Sequence, residues 1–160
     1  MEKVAVFLAS GGLLSHCIYN RTKNLPKFFR GCGIVGTAWA FLFWWVFPLG
    51  PMFPRLLLLL VMSLLSVKIA HMAEGFYGNE DDSRIVIDEF VGYSWAVIAL
   101  PKTMPIFLIS AFLFRVLDVW KPFGIHRLEE IPNGWGCVLD DVASGLVAAF
   151  IVFVGLRIFC

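Results

Sequence analysis

Charge is what this sequence has least of. Asp, Glu, Lys and Arg make up 16% of its 160 residues, against about 25% in a water-soluble domain. Mean hydropathy is +0.81 and 59% of residues are hydrophobic, so much of the surface has to face something other than water. A basic excess is missing too. A net charge of +1 offers no footprint for nucleic acid, whose binding depends on counterion release by a basic face. The four cysteines, Cys17, Cys32, Cys137 and Cys160, form no CxxC and keep no regular spacing. That argues against a disulfide framework or zinc site and for reduced, incidental thiols. Glu2 and Lys3 offset each other ahead of the short apolar stretch 4–9, so no cleaved signal peptide is expected. Several catalytic signatures are also absent: the Cys-x5-Arg phosphate cradle, the DxDx[TV] aspartyl-phosphate motif, the GxSxG elbow, the HExxH zinc site, the Walker loop and DGxxAR. There is no internal repeat and no low-complexity segment.

Long apolar runs are what the sequence does have. Residues 33–49 and 55–73, separated by Gly50-Pro51-Met52-Phe53-Pro54, approach the about 20 apolar residues of a membrane-crossing helix. The polar stretch 74–84, with Glu80, Asp81 and Asp82, belongs outside hydrocarbon. Residues 85–100 and 104–119 read as an antiparallel helix pair about Pro101-Lys102-Thr103, 120–136 as a turn-rich polar connection, and 137–159 as a long apolar helix. Residues 1–20 are only moderately apolar and fit a buried, re-entrant or interfacial helix. The expectation is an all-α, integral membrane helical bundle of about four or five helices, forming a single domain over 1–160. Arg21, Lys23, Lys27 and Arg30 fall within ten residues that hold no acid, which marks the cytoplasmic side. Counting crossings from there returns the loops 74–84 and 120–136 to the cytoplasm, so every acidic cluster falls on one face of the bilayer.

Three constellations carry chemistry. Asp88-Glu89 opens an apolar helix four residues before Gly92; Arg115, Asp118 and Lys121 stand three apart, with Pro122 following; Asp140-Asp141 lies inside the last apolar run, ahead of Gly145. An aspartate at the centre of a membrane helix costs on the order of 2.5–3.5 kcal/mol, and adjacent acids repel. A divalent cation compensates most economically, since magnesium prefers hard oxygen ligands. Arg115 and Lys121 either pair with Asp118 or face a phosphate, as a fork and a point charge respectively. Simpler readings remain for two of the three. Asp88-Glu89 also complements a helix dipole, and Arg115-x-x-Asp118 also reads as an intrahelical ion pair. Asp140-Asp141 has no packing rationale. His16, His71 and His126 share no ligand spacing.

These blocks resemble the phosphatidylglycerophosphatase A family. Residues 82–92 (DSRIVIDEFVG) are similar to its D-x-x-x-I-V-x-D-E-x-x-G block, 114–122 (FRVLDVWKP) to F-R-x-x-D-x-x-K-P, and 133–145 (NGWGCVLDDVASG) to G-x-x-x-x-x-D-D-x-x-x-G. The order and separations also agree, over roughly the C-terminal half. In the N-terminal half, Gly33-Ile34-Val35-Gly36-Thr37 compares with the family's P-G-T-x-G-T turn, with Cys32 in place of proline and Ile34 in place of threonine. Segment 21–30 resembles an insertion.

The resemblance implies a magnesium-dependent enzyme that hydrolyses the terminal phosphomonoester of phosphatidylglycerophosphate in phospholipid biosynthesis. It would work as a multi-pass protein of a bacterial inner membrane, with its site facing the cytoplasm. Asp88, Glu89, Asp118, Asp140 and Asp141 are the catalytic candidates. Among them Asp88, Glu89, Asp140 and Asp141 are the metal ligands for Mg2+, and Arg115 and Lys121 bind the substrate phosphate. The partner is phospholipid in the bilayer; neither nucleic acid nor a required protein partner is expected. The competing readings are a phosphatase of another lipid phosphate, such as a polyprenyl diphosphate, and an ion-coupled membrane carrier. Acids gathered on one side disfavour the carrier, because transport sites lie near the midplane.

Overall fold

The computed structural model describes residues 2–25, 31–47, 50–79 and 82–159. Lys27 and Arg30 of the basic cluster, Glu80 and Asp81 of the polar loop, and Cys160 lie outside the described residues. Among the described residues the chain is all-helical, without strands. Seven α-helices run in order: α1 Glu2–Ala9, α2 Leu14–Thr22, α3 Gly33–Val46, α4 Met52–Tyr77, α5 Ile87–Val97, α6 Met104–Trp120 and α7 Trp135–Phe159. A kinked 3₁₀ segment, Pro122–Glu130, joins the last two.

Local sequence sets these boundaries. Thr103 is extended and Pro105 occupies the first turn of α6, where its missing N–H costs nothing. Gly78 ends α4 in the left-handed conformation, its N–H reaching the Glu74 carbonyl at 2.8 Å, a common glycine C-cap. Gly11, Gly12 and Leu13 all have positive φ, which splits the moderately apolar start into two short helices. Together with the 3₁₀ segment, that split gives more elements than the four or five anticipated from hydropathy. The run 85–100 yields a helix of only 11 residues, because α5 starts at Ile87 and ends at Val97.

Among the described residues, two helices are long and apolar enough to cross a membrane, α4 and α7. At 1.5 Å per residue they measure about 39 and about 37 Å, against about 30 Å of hydrocarbon. Leu57, Leu60, Val61, Leu64 and Leu65 on α4 are exposed, as are Phe150, Phe153 and Ile158 on α7 and Phe112 on α6. Apolar exposure on this scale marks a surface made for a non-aqueous or protein partner.

The short helix α5 is the hub, packed against α3, α4, α6 and α7. Tyr93 and Phe114 are fully buried beside Phe107, Trp44 and Leu59, and the Tyr93 hydroxyl donates to the Phe107 carbonyl at 2.9 Å. On its other side α5 meets Val67, Ala70 and Ala73 of α4 and Val138 of α7 through Val91. Where α5 crosses α7, the two backbones touch. A Cβ on Gly145 would overlap the Gly92 carbonyl oxygen, and one on Gly92 would stand 2.7 Å from the Asp141 carbonyl oxygen and from the Phe114 ring.

That crossing leaves no room for a methyl group, so the backbone has to shift to admit one. Gly145→Ala should lower stability by at least the about 1–3 kcal/mol typical of overpacking, read as a drop in thermal midpoint in detergent. Gly155→Ala in the same helix, where a Cβ meets nothing within 4 Å, should hold or raise the midpoint, since alanine is the better helix former.

Candidate active site

The α5–α7 crossing places two acidic pairs face to face. Asp88 and Glu89 sit in the first turn of α5, and Asp140 and Asp141 sit in α7. The C-terminal end of α6, the start of α3 and the 3₁₀ segment close a cleft of about 420 Å³ around them. All seven site residues expected from sequence line this cleft: Asp88, Glu89, Arg115, Asp118, Lys121, Asp140 and Asp141. Asp88, Asp140 and Asp141 are buried.

The cations are engaged by the acids. Arg115 Nη1 donates to Asp118 Oδ2 at 2.7 Å and stands 3.7 Å from Glu89 Oε1. The intrahelical ion pair is therefore real, but it is one side of a bridge from α6 to α5. Lys121 donates from Nζ to both Asp140 and Glu129. Its backbone is left-handed, φ 46° and ψ 54°, outside the right-handed helical geometry that Pro122 disfavours in the residue before it. That turn swings the side chain away from α6 and toward α7. Burial works against the Lys121 ammonium, but the carboxylates of Asp140 and Glu129 outweigh it and hold its pKa well above the ordinary lysine value.

Two of the acids keep an oxygen without a donor. Asp88 Oδ1 accepts the Glu89 N–H at 2.9 Å and Oδ2 accepts the Cys137 thiol at 2.7 Å; Asp140 Oδ1 accepts the Asp141 N–H at 3.0 Å. Glu89 Oε2 and Asp141 Oδ2 are buried with no hydrogen-bond partner. Oxygens of Asp88, Glu89 and Asp141 lie within 4.8 Å of one another, and so do oxygens of Asp118, Asp140 and Asp141. Asp141 is common to both groups. Buried carboxylate oxygens without donors are costly, and an all-oxygen donor set is what a hard divalent cation takes. The residues present fit such a cation, with Asp118 added to the four acids expected as ligands.

Some contributors were not legible beforehand. Glu129 enters through the 3₁₀ segment. Cys137, read as incidental, is buried in the cleft wall against Asp88. A Cβ on Gly33 would overlap Glu89 Oε1 and one on Gly36 the Val86 carbonyl oxygen, so α3 approaches the acidic turn only because both residues are glycine. Asp82, the first acid of its block, does not line the cleft. It accepts from Arg84 Nε at 2.7 Å and Nη2 at 2.8 Å, while the guanidinium stacks 3.9 Å over Tyr77. Burial would raise the Asp82 carboxyl, but these hydrogen bonds hold its pKa below the usual range. Ser15 donates to the Arg84 carbonyl at 2.7 Å, and the Val86 N–H donates to the Ala9 carbonyl at 2.7 Å. The segment leading into Asp88 is thereby fastened to α1 and α2. A local Asp-x-Arg spacing was the only signal of this in the sequence.

The family model for Phosphatidylglycerophosphatase A matches residues 23–156. The chain is 29% identical over 123 residues to Phosphatidylglycerophosphatase A of Escherichia coli (strain K12), covering 76% of this chain and 72% of that protein. It is 40% identical over 78 residues to Phosphatidylglycerophosphatase A of Haemophilus influenzae, 48% of each chain. It is also 33% identical over 100 residues to a Bacteroides thetaiotaomicron protein provisionally named a phosphatidylinositol-3-phosphatase, covering 61% of this chain and 62% of that protein. The matched stretches thus span from about half to under three quarters of these relatives. No solved structure matches the chain. The family match contains all three acidic blocks, and the chain belongs to the phosphatidylglycerophosphatase A family, a family of phosphatase enzymes.

Proposed function

We propose that residues 1–160 form one membrane-embedded domain that hydrolyses the terminal phosphomonoester of phosphatidylglycerophosphate, yielding phosphatidylglycerol and inorganic phosphate with Mg2+ as cofactor. The observation that carries this reading is the convergence of the three acidic blocks and two cations on a single cleft in a chain of this family. The exposed apolar faces and the lengths of α4 and α7 support a bilayer setting. Arg21 and Lys23, with the crossings that follow them, support a cytoplasm-facing site in a bacterial inner membrane.

Water attacks phosphorus, the bond to the glycerol oxygen breaks, and that oxygen leaves with a proton. Phosphate monoesters are among the slowest biological bonds to hydrolyse, so several charges have to act on one group. Asp88, Glu89, Asp140 and Asp141 would hold magnesium, which when bound supplies positive charge against the phosphate oxygens and eases deprotonation of water. Arg115 presents a planar fork that spans two phosphate oxygens, and Asp118 fixes its orientation through the 2.7 Å contact. Lys121 contributes a point charge from beside Asp140, where it neutralises charge as it develops. Glu129 holds Lys121 there.

Purified protein should release phosphate from phosphatidylglycerophosphate, cease on chelation and recover with Mg2+. Without turnover, saturating Mg2+ should raise the thermal midpoint, since a ligand at 100 times its Kd adds about 2.7 kcal/mol. Asp141→Asn should lose both effects while remaining folded. A preference for phosphatidylinositol 3-phosphate, which the Bacteroides relative raises, would transfer the substrate and keep the reaction. Chelator-resistant turnover overturns the metal site.

Arg115→Lys should lower kcat/KM about ten- to a hundredfold, the equivalent of one charged hydrogen bond of about 1.5–3 kcal/mol in the transition state, with Lys121→Arg milder. If Arg115 serves only Asp118, lysine substitutes well and turnover stays normal.

Cysteines introduced at Ser83 and Asn133 should react with an impermeant thiol reagent only once it reaches the cytoplasm. Labelling of either in intact cells rejects the orientation.

A further inference from the structure

One turn of α3 connects the acidic cleft to a second cavity. Gly33 faces Glu89 and Arg115, whereas Gly36 packs on Val86 and Phe90 and lines an apolar groove of about 880 Å³. The groove follows α3 through Trp39, Phe43 and Val46, positions three or four residues apart and so on one face of the helix. Phe7 of α1 supplies the opposite wall, and Trp39 Nε1 donates across to the Gly11 carbonyl at 3.3 Å. The turn that bears Asp88 and Glu89 serves both cavities: the acids line the cleft, while Val86, Ile87 and Phe90 line the groove. Among the described residues, none that lines the groove is charged.

We propose that this groove binds one acyl chain of the substrate lipid while the phosphate of the same molecule occupies the acidic cleft. The proposal rests on the lipid-phosphatase reading and adds to it the place where the chain is held. Depth is one argument. From Gly36 to Val46 the groove runs ten residues along α3, about 15 Å at 1.5 Å per residue, which is half of a roughly 30 Å hydrocarbon core. Direction is the other. The groove begins one helical turn from the residues facing Glu89 and Arg115 and leads away from every acid in the cleft, as a lipid's chain leads away from its phosphate. An annular lipid needs no such registration with the cleft. A substrate lipid does, because the reacting phosphorus has to be held in place against the acids.

The test uses the full chain in detergent and a phosphatidylglycerophosphate probe with a photoactivatable acyl chain, alongside a diacylglycerol probe bearing the same chain. Adducts should concentrate on Trp39, Leu42 and Phe43, at least tenfold above the diacylglycerol probe, and disappear under excess unlabelled phosphatidylglycerophosphate. Equal labelling by both probes, or adducts spread over α4 and α7, means annular lipid only and overturns the proposal. Kinetics give a second arm. Leu42→Trp and Val46→Trp, both at exposed positions, should lower the ratio of kcat/KM for a long-chain over a short-chain substrate about tenfold; an unchanged ratio in both overturns it. Headgroup-dependent labelling without phosphate release from any lipid would keep the groove and reject the phosphatase, whereas phosphate release with uniform labelling would do the reverse.

Discussion

The close crossing of α5 and α7 governs how this site is built. Gly92 and Gly145 each follow an acid by four residues, Asp88 and Asp141 respectively. Their mutual contact brings the two backbones nearer than any side chain would permit. One turn back along each helix, Asp88 and Glu89 on one side and Asp140 and Asp141 on the other then have no choice but to face each other. Two unit charges 4 Å apart interact by about 1 kcal/mol in bulk water and about 4 kcal/mol at an effective dielectric of 20. The fold therefore gathers like charges where their repulsion is amplified. Packing alone gives no reason for that, and an apolar pair at the same crossing would serve stability better.

The compensation within the chain is incomplete. Among the described residues, six carboxylates line the cleft, Glu129 included, against Arg115 and Lys121. A cleft of that composition is anionic and repels any further anion until positive charge arrives. A divalent cation would offset that excess, and the partnerless oxygens of Glu89 and Asp141 are where the shortage is most local. The same reasoning explains why both cations are tied to acids in this state. A guanidinium shared by Glu89 and Asp118 is already oriented, so it has little side-chain entropy left to lose on meeting an anion.

The parts of this design legible in the sequence were those with a local cost. An Asp-Asp pair inside an apolar run is conspicuous without any knowledge of its neighbours, and the Leu-rich run of α4 announces its own helix. Contributions that depend on tertiary approach were hidden. Glu129 is one acid in a polar connection until the 3₁₀ segment folds it back to Lys121. Cys137 meets Asp88 across 49 residues of sequence. Gly33 shows its purpose only where a Cβ would enter the Glu89 carboxylate. The shortness of α5 was hidden for a related reason: hydropathy measured an apolar run, and its flanks Ile85, Val86, Ile98 and Leu100 are buried without belonging to the helix. Asp82 was visible as a motif position, yet its work is to clamp Arg84, one step removed from the chemistry.

The two cations show how the backbone divides labour at the site. Arg115 stands in the interior of a regular helix, so its position follows from α6 as a rigid body and its reach is set by carboxylates on two sides. Lys121 stands where that helix is forced to end. Pro122 cannot donate to the helix and disfavours helical geometry at the residue before it; Lys121 and then Phe123 take positive φ. Non-glycine residues in that region cost of order 1–3 kcal/mol each and persist where the surroundings over-determine them. Here the over-determination is visible: the Lys121 N–H still closes on the Leu117 carbonyl at 2.7 Å, and its ammonium is held by Asp140 on α7 and by Glu129 beyond the bend. The strained turn thus carries one charge from the end of α6 across to α7, while the unstrained helix keeps the other charge beside α5. The two cations thus reach the cleft from one helix, each held by carboxylates of a different neighbour.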